Sequence, residues 1–84
     1  MKIIIATNID KYKGGKFPDL SIVPRIGEHI QVKDIFVSYF KDMKLPTILQ
    51  VFDVKYTESD IICEVHFRRI DLEFAKLNNI NLYQ

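Results

Sequence analysis

"TILQVFDVKYTESDIICEVHF", Thr47 to Phe67, is the stretch whose reading decides the fold. Two runs rich in Ile, Val, Phe and Tyr flank Thr57-Glu58-Ser59-Asp60, a cluster of turn formers, so the stretch predicts an antiparallel hairpin. Centring the turn on Glu58-Ser59 sets Tyr56 opposite Ile61, Val54 opposite Cys63 and Phe52 opposite Val65. All six share one face, which is therefore assigned to the core. The outward face then holds Asp53 opposite Glu64, with Lys55 and His66 nearby. It also holds Leu49, Val51 and Ile62, three large aliphatics that a solvated face does not need and that something should cover.

Upstream of the hairpin the period changes. In "KDIFVSYFKDMKLP" the residues Phe36, Tyr39, Phe40 and Met43 fall at i, i+3, i+4 and i+7. That spacing predicts one stripe of a helix, with Asp34 placed to cap it. Pro46 biases Leu45 away from helix, so the element should stop by about Lys44. Earlier still, Glu28–Lys33 alternates with Ile30 and Val32 inward, the pattern of a half-buried strand. Pro24 disfavours helix just before it, and Gly27 supplies the freedom of a tight turn. Downstream, "IDLEFAKLNN" predicts a short helix capped by Asp71, with Phe74 and Leu77 on the packed side and Asn78-Asn79 ending it.

The first residues, Lys2–Ile9, are isoleucine-rich and point apolar groups both ways, as a strand covered on both faces does. Their apolar run, Ile3 to Ala6, is shorter than the ~7–15 residues of a leader's core. No segment approaches the ~20 apolar residues of a membrane span. A single cysteine, Cys63, excludes an intrachain disulfide and a Cys-based zinc set, and suits a reducing compartment. A soluble, cytoplasmic, single-domain chain over residues 1–84 is expected. Twelve basic against eleven acidic residues give a net charge of +1, which argues against a protein dominated by phosphate binding. The charge is uneven, with six basic and three acidic groups in residues 1–33.

"VPRIGEHIQV", the aromatic helix, "LPTILQVFDVKYT" and "IICEV" together resemble a group of short bacterial proteins with a P-R-[I/V]-G-E turn, a helical insertion and a patterned hairpin. The resemblance runs from about Val23 to Phe67 and brings no activity and no site residue with it. It implies a small antiparallel sheet curled into a partly open SH3-like barrel. With the elements above, the expected fold is α+β: four or five strands, a helix between strands and a short C-terminal helix.

Candidate chemistry is sparse. "DKYKGGKFPDL" interleaves Lys11, Lys13 and Lys16 with Tyr12 and Phe17, the mixture of charge and stacking faces that single-strand nucleic-acid binders use. Its glycines lack the spacing of a phosphate loop. Read structurally, the same stretch is a solvated connection whose lysines guard strand edges. Asp53, Glu64 and His66 share a face and offer metal or proton chemistry, but Lys55, diagonal to Glu64, neutralises the carboxylates without a ligand. Cys63 and His66 lie three apart on a strand, hence on opposite faces, and form no catalytic pair. No catalytic residue, metal ligand or cofactor site is assigned. The expected function is a protein–protein interaction module, a homodimer included, using Leu49, Val51, Ile62, Leu82 and Tyr83. The alternative is weak nucleic-acid binding through Lys11, Tyr12, Lys13, Lys16 and Phe17.

Overall fold

The computed structural model describes residues 1–83. Strand β1 spans Lys2–Ala6, β2 His29–Gln31, β3 Ile48–Tyr56 and β4 Asp60–His66; helix α1 spans Asp34–Asp42 and α2 Arg69–Leu77. A single 3-10 turn, Asp10–Tyr12, follows β1. The strands form one curled half-barrel sheet in the order β1-β4-β3-β2. This is the α+β, partly open architecture expected from the sequence, with one difference. The sheet is mixed, because β1 lies parallel to β4, Lys2 opposite Asp60 through Ala6 opposite Glu64. A parallel neighbour requires a long crossover, and everything from Thr7 to Ser59 serves as one.

The hairpin turn stands where the sequence puts it. Tyr56 faces Ile61, Val54 faces Cys63 and Asp53 faces Glu64. Thr57 clamps the turn: its N–H donates to the Asp60 carbonyl at 2.8 Å, and the Asp60 N–H donates to the Thr57 hydroxyl at 2.9 Å. Beyond Asp53 the register shifts by one residue. Val51, not Phe52, lies opposite Val65, and Gln50 lies opposite His66, leaving Phe52 as the extra residue of a β-bulge. The bulge changes which side chains reach the core. Leu49 and Val51, assigned to the outward face by simple alternation, are 0% and 1% exposed. The aromatic Phe52, assigned inward, is instead 47% exposed. On the partner strand Ile61, Cys63, Val65 and Phe67 are all buried, and beyond the bulge it is Val51 that lies opposite Val65, so that the buried Leu49 and Val51 share the face of these residues.

The helices end alike. In α1 the Leu45 N–H reaches the Phe40 carbonyl at 2.7 Å and the Lys44 N–H the Lys41 carbonyl at 3.0 Å, with Lys44 at φ 59°. In α2 the Ile80 N–H reaches the Ala75 carbonyl at 2.8 Å, with Asn79 at φ 54°. Both are Schellman ends, which turn the chain back so that Leu45 and Ile80 fold onto the apolar side. Neither predicted acid cap forms. Lys33 and Arg68 occupy the cap positions, while Asp34 and Asp71 sit in the first turns, where a negative charge suits the helix dipole. Within α1, Phe36 and Phe40 pack inward as expected, whereas Tyr39 and Met43 remain on the surface.

The core joins β2, β3, β4 and both helices to the loop after β1. Tyr12 is its keystone. The ring is fully buried, stacked on Phe40 at 4.5 Å and edge-on to Phe67 at 5.7 Å, and its hydroxyl donates to the Pro46 carbonyl at 2.6 Å. The Gly14-Gly15 pair lets the chain turn back over it. Gly14 adopts φ 77°, and a Cβ on Gly15 would meet the Tyr12 carbonyl oxygen at 2.9 Å.

Candidate interaction surface

The residues expected to meet a partner are divided by the fold. Leu49, Val51 and Leu82 are core residues and form no surface. Ile62 is half-buried on the outer sheet face, and Tyr83 stays exposed. The tail that carries Tyr83 folds back against the end of the hairpin. Its ring meets Phe67 edge-on at 5.3 Å and lies 5.9 Å from the His66 ring, which Phe52 meets edge-on at 6.0 Å. The bulge is what turns Phe52 toward His66, so this small aromatic cluster is a product of the register shift.

The loop after β1 loses its stacking faces. Tyr12 is buried, and Phe17 is partly buried against the core. Among the lysines, Lys13 pairs with Asp10 at 3.0 Å, Lys11 is half-buried and Lys16 is exposed. The Lys16 carbonyl accepts from the Lys33 N–H at 2.9 Å, tying the loop to the end of β2.

The outer sheet face likewise resolves into ordinary pairing. Asp53 and Glu64 are opposed as expected, and Lys55 Nζ lies 3.2 Å from Glu64 Oε1. His66 turns to its aromatic neighbours. Among the described residues, no three His, Cys, Asp or Glu side chains are grouped to hold a metal ion. Cys63 is buried, and burial raises its thiol pKa above the ordinary value. The Pro-Arg-Ile-Gly-Glu motif is turn chemistry: the Arg25 N–H donates to Glu28 Oε1 at 2.6 Å, the Glu28 N–H to the Arg25 carbonyl at 3.1 Å, and Gly27 takes φ 98°. That backbone bond, with the Arg25 cation beside it, lowers the Glu28 pKa. The turn then hands the chain to β2 and is tied to β3, the Gly27 N–H donating to the Val51 carbonyl at 2.8 Å.

The surface feature that the sequence reading placed wrongly is on α2. Phe74 and Leu77 were expected to pack, and instead Leu72 and Ala75 do. Ile70, Phe74 and Leu77 are 66%, 62% and 83% exposed. Arg68 pairs with Asp71 at 2.8 Å in a partly buried ion pair across the helix start, while Leu72 and Ala75 pack against the core. Small Ala75 allows close approach, and the opposite side of the helix is left facing out. At 100° per residue, Ile70, Phe74 and Leu77 fall together on that side. Beside Phe74 lies a groove of about 440 Å³, walled by Leu45, Pro46, Ile80 and Leu82 and rimmed by Lys44, Asp71 and Asn78. A count of apolar positions could have found this stripe, since α2 carries more of them than one face can hold.

No helix is long and apolar enough to cross a membrane among the described residues. Compared with protein-family models, with curated proteins and with solved structures, the chain has no match in any of the three.

Proposed function

We propose that the protein is a non-enzymatic protein-interaction module and that α2 presents its contact surface. The observation that carries this reading is a helix apolar on two opposite sides. Leu72 and Ala75 meet the chain's own core, while Ile70, Phe74 and Leu77 face outward at i, i+4 and i+7. A surface helix needs only one apolar stripe, and one with two has a second surface to cover. Full burial of a large aliphatic or aromatic side chain is worth ~1.5–3 kcal/mol, and these three are still mostly exposed. The fitting occupant is an amphipathic helix of another protein, laid along the stripe with one apolar anchor in the groove beside Phe74.

The test is a photo-crosslinking residue at position 74 of the full chain in the cells that produce it, with position 13 as control. One discrete adduct is expected from position 74, lost when Leu77→Glu is added. Leu77→Glu itself should leave thermal stability unchanged, as surface substitutions do. The reading is wrong if position 74 gives no adduct, or if position 13 gives the same one.

A further inference from the structure

The sheet order leaves two edges, β1 and β2. β2 is three residues long, and just beyond it the Lys33 N–H bonds the Lys16 carbonyl of the loop after β1. β1 has no such protection. Among the described residues, no backbone hydrogen bond from outside its ladder with β4 reaches Lys2–Ala6. The N–H and C=O groups along its far side therefore point away from the sheet without a protein partner, and its only charge is Lys2. An open groove of about 280 Å³ follows this edge, bounded by Lys2 to Ile5 on one side and by Gly15, Phe17, Pro18 and Asp19 on the other.

We infer that β1 pairs edge to edge with β1 of a second copy, antiparallel about a two-fold axis at Ile4, joining two four-stranded sheets into one. The sequence Lys2-Ile3-Ile4-Ile5-Ala6 is self-complementary in that register. Ile4 meets Ile4 of the second copy on the outer face, and Ile3 meets Ile5 on the core face. The two core faces thus remain continuous, and a one-residue slip would put a core-facing isoleucine against an outward one. Charge selects the same register. Lys2 falls opposite the small Ala6 of the other copy, whose own neighbour across the ladder is Glu64. The Lys2 ammonium then has only two strand spacings, ~9.6 Å, to span toward that carboxylate. Lys55 already holds one Glu64 oxygen at 3.2 Å, and a carboxylate can accept a second donor. The isologous contact needs no second gene product, and β1 lies on a different element from the α2 stripe, so the two readings stand or fall separately.

Sedimentation equilibrium of the full chain from ~1 μM to ~1 mM suits an interface at the small end of the specific range. A reversible monomer–dimer equilibrium is expected. Ile4→Lys sets two ammonium groups face to face and should weaken the dimer at least ~10-fold, while its circular dichroism stays native. Phe74→Glu should leave the dimer unchanged. Ile4→Cys offers an independent reading, because opposed antiparallel residues lie ~4.5–5.5 Å apart at Cα, within disulfide reach. Mild oxidation should then give a covalent dimer through position 4, and it decides the matter should Ile4→Lys fail to fold. A parent that is monomeric throughout overturns the inference and leaves the edge to an extended peptide of another chain. A dimer that Phe74→Glu dissolves and Ile4→Lys spares overturns it as well.

Discussion

Removing the Tyr12 ring should come close to unfolding the protein. At ~0.05–0.15 kcal/mol per residue, an 84-residue domain has ~4–13 kcal/mol of stability to lose. Truncating a buried aromatic to alanine costs ~3–5 kcal/mol, from lost burial plus the cavity left behind. Tyr12→Ala forfeits the stack on Phe40 and the edge contact with Phe67, and leaves the Pro46 carbonyl without its donor. Tyr12→Phe keeps the packing and loses only the hydroxyl, which should cost ~1–2 kcal/mol. With a urea slope near ~1 kcal/mol/M, the midpoint should fall by ~1–2 M for Tyr12→Phe and by ~3 M or more for Tyr12→Ala. The pH dependence gives a second handle on the same group. Burial first, and the Asp71 carboxylate second, hold the Tyr12 hydroxyl protonated well above the usual tyrosine range. Its folded pKa lies above its unfolded one, so the stabilisation is fully present below about pH 10 and is lost as pH rises beyond it. Tyr12→Phe should abolish that alkaline decline. A Tyr12→Ala midpoint equal to the parent's would show that the ring is not in the core, and with it that the loop after β1 is misplaced.

Two other perturbations probe the hairpin. Cys63 should react with a thiol reagent only on unfolding, and Cys63→Ala should cost ~1 kcal/mol; rapid labelling of the native chain would contradict its burial. Deleting Phe52 removes the bulge yet keeps Val51 opposite Val65 and Leu49 on the same core face, so the deletion variant should still fold, and Phe52→Ala should stay within ~1 kcal/mol of the parent in urea denaturation. A deletion variant that loses the fold would refute the register.

The hairpin turn and its first pairs were legible because turn chemistry is local: Thr57 to Asp60 close the loop with their own groups. The bulge was not legible from alternation applied to the whole strand, since one extra residue exchanges the faces of everything beyond it. The composition gives no clean parity to read: β3 carries apolar residues at even positions (Ile48, Phe52, Val54, Tyr56) and at odd ones (Leu49, Val51), and β4 adds Ile62 to Ile61, Cys63 and Val65. The two buried aliphatics of β3 were therefore assigned to a surface that the register denies them. The packed side of α2 failed for another reason: the helix has two apolar sides, and which one meets the core, here that of Leu72 and Ala75, is a tertiary fact. Tyr12 was read beside its lysine neighbours in sequence, whereas Phe40, Pro46 and Phe67, which bury it, lie far along the chain.

The parallel seat of β1 also bears on how fast the fold can be reached. Lys2 finds its partner only at Asp60, most of the chain's length away. Such distant pairings raise contact order, and domains rich in them fold in milliseconds to seconds rather than microseconds. As the chain leaves the ribosome, β1 emerges well before β4, its ladder partner among the described residues. For that interval three consecutive isoleucines have no strand to join, and anything that binds extended apolar segments, a chaperone among them, meets this one before β4 does.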